Sequence, residues 1–310
     1  MTTQPPTSVL LPTVSWTPVA EEIAHQLRPS DELLIICDTN SDPIADTTTE
    51  LPDTARLIVA GEPNNCSGKA NAIAAGMEAA QYDRLVWTDD DFHHPDDWLT
   101  RLHEDYDQNG PTTELPFFVG QDPLSVLLEP LYAVAGTAGT YAGDIAWGGA
   151  VIFERDDLPN EDAFLRDLRR TISDDGLLTD RVEITPVKRT RRVEMGGTIR
   201  ETLERHVRFT KLGRHHDPDG STANAVIGTL ATGGGLLYPL PAVVGLTVLL
   251  AGVYAAFGLR RWTVLLAYPA VLISMPLLLY GLLRRTFVWG GRRYRWHETF
   301  DVDVSDSSLD

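Results

Sequence analysis

The sequence predicts an α/β fold, a mixed sheet flanked by helices, followed by an apolar helical hairpin near the C-terminal end. Three observations predict it. Short apolar runs alternate with helix-like stretches from Ser8 to Thr88. One run, Leu85-Val-Trp87, leads straight into three carboxylates, Asp89, Asp90 and Asp91. Two later stretches, residues 236–257 and 262–283, contain no charged residue. Strand–helix alternation implies a parallel sheet with crossover helices. A charge-free stretch of about 20 residues is long enough to cross a bilayer.

Residues 8–13 read as a first core strand stopped by Pro12, and residues 15–27 as a helix with Val19, Ile23 and Leu27 on one face. Residues 33–37 are continuously apolar, as in a strand buried on both faces, and end in a polar cluster running from Asp38 to Asp42. Residues 57–60 form a third strand, a glycine-containing loop over 64–71 leads into an alanine-rich helix over 70–80, and residues 85–88 are the fourth strand. Residues 117–138 are apolar but broken by Asp122, Pro123, Glu129 and Pro130, which predicts an amphipathic or membrane-surface segment. Residues 147–153 are a glycine-led strand, where a ligand or second backbone can approach closely. A helix over 161–168, a helix start at Asp174 and Asp175 and a strand over 182–187 follow. Residues 199–211 form a basic helix suited to phosphates or lipid headgroups. Residues 233–235, all glycine, read as a flexible joint, and the acidic tail over 301–310 as disordered.

This gives a domain plan: an α/β domain over 1–212, a linker or interfacial segment over 213–235, two transmembrane helices over 236–283, and a basic juxtamembrane segment with an acidic tail over 284–310. Only residues 258–261 separate the two apolar stretches, so a spanning hairpin has both outer ends on one side. Arg284, Arg285, Arg292, Arg293 and Arg295 outnumber Arg260 and Arg261 in the turn. Positive-inside bias then predicts a multi-pass protein of the cell membrane with its large domain in the cytoplasm. Residues 8–13 are too short for a signal-peptide core, so no cleaved leader is expected.

Across 310 residues, 44 Asp and Glu face 26 Lys and Arg, a formal charge of -18. The only lysines are Lys69, Lys188 and Lys211. Such acidity suggests adaptation to high salt, of the haloarchaeal type, where short-range screening removes much of the self-repulsion. It also excludes nucleic acid as a general partner. Cys37 and Cys66 have no metal-ligand spacing and read as small core residues in a reducing compartment.

The carboxylates after the fourth strand carry the chemistry. In open α/β sheets, ligands collect outside the carboxyl ends of the strands. Asp89 and Asp91 project the same way if the backbone stays extended. Two like charges held together are costly unless a cation is shared between them. Mg²⁺ or Mn²⁺, joining carboxylates to substrate phosphates, answers that cost; a solvated acidic turn is the plain alternative. Ser67-Gly-Lys69 is not a Walker A loop, because the upstream glycine and the following Ser/Thr are missing. Lys69 faces either a phosphate or solvent. Asp174 and Asp175 could simply cap a helix.

The order of these motifs resembles the lipid-linked and processive-type family 2 glycosyltransferases of GT-A fold, a Rossmann-like mixed sheet, and most of all the ceramide glucosyltransferase branch. The resemblance runs from Ser8 to about Lys211 and includes C-terminal membrane helices. The cluster from Asp38 to Asp42 stands at the nucleotide-binding motif, Ser67-Gly-Lys69 at a Gly-Lys segment before a helix, and Thr88-Asp-Asp-Asp91 at the Asp-x-Asp position, with Pro95 downstream. Ser173-Asp-Asp175 stands at the motif that carries the base, and Arg205-His-Val-Arg-Phe209 at the Gln/Arg-x-x-Arg-Trp motif. Phe209 departs from the family's tryptophan, and no membrane helix precedes Ser8.

The resemblance implies an inverting transfer of a sugar from a UDP- or GDP-linked donor to an acceptor hydroxyl, on a lipid or polyprenyl phosphate. Asp89 and Asp91 would hold Mg²⁺ or Mn²⁺, and Asp38, Asp42, Lys69 and Asp90 would meet the nucleotide. Arg205 and Arg208 would bracket the pyrophosphate. Asp175 is the implied base, with Asp174 the alternative, and Trp147 to Gly149 would line the acceptor side. Two competing readings remain from the residues alone: a membrane-bound metal-dependent nucleotidyltransferase, and a membrane-anchored acidic binding module without catalysis.

Overall fold

The computed structural model describes residues 4–307. Strand β1 (Thr7–Pro12) leads to helix α1 (Pro18–Ala24), whose start is set by Pro18 and by the Thr17 hydroxyl accepting from Ala20 N–H. Pro18 and that cap make the helix shorter than residues 15–27. Strand β2 (Glu32–Cys37) and a 3₁₀ segment (Pro43–Glu50) precede β3 (Ala55–Val59). Then come α2 (Gly68–Ala79), β4 (Arg84–Thr88), α3 (Trp98–Asn109) and β5 (Thr112–Gly120). Gly110, at φ +74°, closes α3 with a conformation few other residues adopt.

After β5 come α4 (Pro123–Tyr132), a π-helical turn (Ala133–Ala138) and α5 (Gly139–Ala142). Residues 117–138 are therefore the end of a strand followed by helix. Asp122 and Ser125 form a capping box and Pro123 takes the first turn, which is what breaks the apolar run. Next are β6 (Ala150–Glu154), α6 (Glu161–Leu168), α7 (Asp174–Thr179) and β7 (Thr185–Met195). The last strand reaches well past Val187 through Lys188, Arg189, Arg191 and Arg192, a charged run that masks its strand character in the sequence.

The chain ends in α8 (Ile199–His216), α9 (Pro218–Leu237), α10 (Pro239–Ala256), α11 (Ala267–Leu283), β8 (Thr286–Trp289), β9 (Arg292–Glu298) and β10 (Asp301–Asp306). Two expectations change here. The glycines at 233–235, expected as a flexible joint within the 213–235 linker, lie inside α9. The contact with α11 explains this: Gly235 lies against Tyr268 and Leu272, and the Thr232 hydroxyl donates to Val271 O at 3.0 Å. The acidic tail, expected as disordered, pairs as β10 with β9 in a three-stranded sheet, while residues 308–310 lie outside those described.

The chain divides into two compact units. The first holds Met1–Leu115, Asp144–Val187 and Phe300–Val304. The seven-stranded sheet has the order β3-β2-β1-β4-β6-β5-β7. Its first four strands are parallel, with Leu10 opposite Leu34 and Trp87, while β6 runs antiparallel to β4 with Val86 opposite Ile152. The core on one face of the sheet joins Leu10, Leu34, Trp87 and Phe153 to Ile73, Met77 and Phe164 of the covering helices. Each large side chain removed from water there contributes about 1.5–3 kcal/mol.

The second unit holds Pro116–Gly143, Lys188–Thr299 and Ser305–Asp310. Its anchor is Glu129 on α4, a fully buried carboxylate. Glu129 accepts from Gly120 N–H, from the Thr263 hydroxyl and from the Arg261 guanidinium at 2.6 Å. The turn between α10 and α11 is thus fastened to α4 and to the end of β5. Tyr254 and Leu259 pack with Phe117, Val119 and Ala133 around the same turn. Helix α10 and the helical stretch Trp262–Leu283 that contains α11 are long and apolar enough to cross a membrane, and Leu240, Val244, Val248, Leu249 and Leu283 are exposed along them.

Candidate active site

Strand β1 lies between β2 and β4, so the order of the parallel strands reverses beside it. At such a reversal the connections leave on opposite faces and open a crevice at the carboxyl ends of the strands. Thr13, Asp38 and Asp89, the first residues beyond β1, β2 and β4, share that edge. The Thr13 hydroxyl donates to Asp90 Oδ2 at 2.6 Å across the reversal.

Lys69 reaches the edge from the first turn of α2. Ser67 caps that helix by accepting from Ala70 N–H, and its own N–H donates to Thr171 O at 2.9 Å. This bond sets the first turn of α2 beside the segment that opens α7. Lys69 Nζ then lies 2.7 Å from Asp89 Oδ1 and 3.5 Å from Asp174 Oδ2. Gly148 makes room for the group: a Cβ there would fall 2.5 Å from Asp174 Oδ2 and 3.3 Å from Lys69 Nζ.

Burial shapes the electrostatics of this cluster. It pulls the Lys69 ammonium down, but Asp174, Asp89 and Asp175 together outweigh it and hold Lys69 well above the ordinary lysine value. Burial raises the Asp89 carboxyl, against the pull of Lys69. Burial likewise pushes Asp174 up to about 6, again opposed by Lys69. One lysine thus serves two carboxylates, with a third nearby.

The two acidic residues that open α7 differ. Asp174 is buried behind Lys69. Asp175 is half-buried, and its Oδ1 accepts from the Ser173 hydroxyl and from Gly176 N–H at 2.8 Å. Its Oδ2 has no hydrogen bond among the described residues. A carboxylate steered by one oxygen and open at the other is placed to take a proton.

Beyond Thr88 the chain leaves the strand, so the alternation expected to align Asp89 with Asp91 does not apply. The loop is pinned instead by Thr88 and His94, whose Oγ1 and Nε2 are 2.7 Å apart, and by the buried Phe92 against His94 and Trp147. Asp91 is exposed and Asp90 half-buried. No group of three His, Cys, Asp or Glu able to hold a metal occurs among the described residues. The donor set at Asp89 and Asp91 is carboxylate oxygen only. It fits Mg²⁺ or Mn²⁺, which usually take one or two carboxylates and complete the shell with water and substrate phosphates.

At β2, Asp38 is half-buried at the strand end, while Asp42 Oδ2 accepts from Thr39 N–H at 2.8 Å and closes the loop. Arg205 and Arg208 lie on α8 in the second unit. There the Arg208 guanidinium sits 4.0 Å over the Trp289 ring, and Phe209 packs with Phe118, Tyr132 and Leu277. Phe209 is thus a half-buried residue packed against the core of that unit, which suits an aromatic ring without a polar edge. Sequence reasoning missed Thr13 and the Ser67–Thr171 bond. Thr13 has a signal, its place directly after the first strand; the backbone bond has none.

Residues 18–133 match the model of the family described as Glycosyl transferase family 2. Among curated proteins the chain has no match. Among solved structures it is similar to glucosyl-3-phosphoglycerate synthase from Mycobacterium tuberculosis in complex with Mn²⁺ and uridine-diphosphate-glucose, at 17% identity and TM-score 0.44, over 68% of this chain and 79% of that one. It is also similar to S. aureus TarS 1-349 in complex with UDP-GlcNAc, at 12% identity and TM-score 0.41, over 97% and 99% of the two chains. Residues 18–133 of this chain are thus similar to the glycosyl transferase family 2 domain, and the match supports an enzyme of the glycosyltransferase class.

Proposed function

We propose that the enzyme performs an inverting transfer from a UDP- or GDP-linked sugar to an acceptor hydroxyl. The observation that supports this reading is the steered, half-buried Asp175 beside the Lys69–Asp89 pair at the open sheet edge. The acceptor hydroxyl attacks the anomeric carbon, the bond from that carbon to the diphosphate oxygen breaks, and the hydroxyl proton passes to Asp175 Oδ2. Asp174 holds Lys69 in place, and Lys69 carries positive charge toward the departing diphosphate. Asp89 and Asp91 would hold Mg²⁺ or Mn²⁺, which supplies further charge for the leaving nucleoside diphosphate. Asp38, with Asp42 supporting its loop, would meet the nucleoside, and Asp90 is positioned by Thr13. Arg205 and Arg208 remain the candidates for the pyrophosphate.

The acceptor proposed is a lipid or a polyprenyl phosphate, as in the ceramide glucosyltransferase branch that the motifs resemble. The support is the apolar surface of α9, α10 and α11, where Leu230, Leu240, Val248 and Leu283 are more than 60% exposed. The large domain is proposed to face the cytoplasm at the cell membrane, in a cell adapted to high salt. For the hairpin we propose a shallower seat than two full crossings. A spanning turn would stand about 30 Å away on the far side of the bilayer. Here the turn is fastened by Arg261 and Thr263 to the buried Glu129. The other end of α11 touches α8, where Gly281 lies against Thr210. Helix α8 is itself tied to the N-cap of α4 by the Thr202 hydroxyl on Asp122. Both ends of α11 thus meet the same polar frame, which suits a hairpin lying in one leaflet.

The test is turnover of a panel of UDP- and GDP-sugars by membrane fractions in high salt, with and without Mn²⁺ or Mg²⁺. Transfer of a sugar to extracted lipid, lost in D175N, supports the reading. Nucleotidyl transfer with Asp175 dispensable would replace it, and no nucleotide-sugar binding by folded protein would leave a binding module.

A further inference from the structure

The second unit contains a concave site that the transfer reaction does not use. It is lined by Thr210, Lys211, Arg214 and His215 from α8 and by Trp296 and His297 from β9. Lys211 and Arg214 are one turn apart on α8, and neither has a salt bridge or hydrogen-bonded acceptor among the described residues. In a chain with 44 acidic residues against 26 basic ones, two neighbouring cations without a carboxylate call for an explanation. Trp296 supplies a second, independent observation. It is 4% exposed, and its indole Nε1 is buried with no hydrogen-bond partner. A buried donor left unsatisfied costs about 1–3 kcal/mol.

The remaining walls suit the same occupant. His215 stacks on Trp296 with ring centroids 4.4 Å apart, and this fixes the indole. Burial, with Lys211, Arg214 and His216 beside it, pulls His215 down to about 4, so it is neutral at pH 7. Gly281 leaves no room for a side chain against Thr210, so α11 closes the floor. Leu282 lines the site as well, and Leu283 beside it is 81% exposed. The site therefore opens beside the apolar surface of α11.

We propose that Lys211, Arg214 and the unpartnered Trp296 indole N–H, all on residues that line this concavity at the end of α11, bind a phosphate group. An ammonium, a guanidinium and an indole N–H are all donors, and a phosphate offers several acceptor oxygens to them. Its source is either a membrane lipid with a phosphomonoester head or free phosphate. The inference stands apart from the transferase reading, because it uses no residue of the Lys69–Asp89–Asp175 cluster.

The test uses the full chain and reads binding alone, at the lowest salt in which the protein stays folded. Co-flotation is measured with vesicles of phosphatidylcholine and with vesicles in which roughly a fifth of the lipid is phosphatidic acid, because an anionic surface attracts basic side chains beside it. Inorganic phosphate is titrated separately by calorimetry. The variants are K211Q/R214Q and W296F; the second keeps an aromatic ring against His215 and removes the N–H donor. Each charge-assisted bond lost is expected to weaken binding by about tenfold or more. Phosphatidic-acid binding lost in both variants, with phosphatidylcholine binding unchanged, supports a lipid phosphate. Calorimetric binding of inorganic phosphate, lost in both variants, supports free phosphate. If both folded variants match the wild-type chain with every probe, the proposal is overturned. Loss in K211Q/R214Q alone would also overturn it, since diffuse charge attraction does not need the indole N–H.

Discussion

Lys69 Nζ stands 2.7 Å from Asp89 Oδ1 and 3.5 Å from Asp174 Oδ2, so one ammonium joins the end of β4 to the start of α7. Two segments of the candidate site, far apart in sequence, meet at that group. Breaking a buried ion pair by removing one partner leaves the other charge uncompensated, at a cost of about 3–5 kcal/mol. K69M is expected at the lower end of that range, because the carboxylates keep some contact with water. The double variant K69M/D89N should recover most of the stability, measured by denaturant unfolding, and none of the activity. Recovery of turnover in the double variant would show that Lys69 serves only the fold.

Asp175 and Asp174 should separate in kinetics. A positioned base contributes about 10²–10⁴-fold to turnover. D175N is expected to lose turnover on that scale while binding the nucleotide-sugar with nearly unchanged affinity, since Asp175 touches neither Lys69 nor Asp89 in a hydrogen bond. G148A should lose both binding and turnover, because the new methyl would meet Asp174 and Lys69. Equal effects of D174N and D175N on turnover with binding intact would undo the assignment of the base.

The raised Asp174 carboxyl makes stability depend on pH. Its folded pKa of about 6 lies above the ordinary carboxylate value, so the folded state binds its proton more tightly than the unfolded state. This contribution is fully present below pH about 4 and is lost as pH rises through about 6. D174N has no such loss. In chelator-treated protein, D174N should therefore gain stability relative to the parent between pH 4.5 and 7.5, by at most about 3 kcal/mol. A difference in melting temperature that is flat across that window would count against the buried carboxyl.

Glu129 predicts the behaviour of the hairpin. R261M leaves a fully buried carboxylate with only the Gly120 N–H and the Thr263 hydroxyl, a loss of about 3–5 kcal/mol. E129Q/R261M should recover much of that, because the amide needs no cation. A cysteine placed at the exposed Arg260 should react with a membrane-impermeant thiol reagent from the same side as the large domain. Labelling from the opposite side would establish a spanning hairpin in place of the shallow one.

Much of this molecule is legible in its sequence because it rests on local chemistry. Apolar runs such as residues 33–37 specify buried strands by length and residue type alone, and the alanine-rich stretch over 70–80 specifies α2 in the same way. The carboxylates after β4, the lysine of α2 and the acidic start of α7 were likewise visible as separate motifs. Their meeting was not, because the 2.7 Å contact depends on the strand order and on one backbone bond between Ser67 and Thr171. The same holds for the apolar helices. Composition marks residues 236–257 and 262–283 as lipid-compatible. What composition cannot reveal is that Glu129, more than 100 residues earlier, lies buried with the Arg261 guanidinium against it. Local patterns are properties of neighbouring residues, whereas a buried charge finds its partner only when the whole chain has folded.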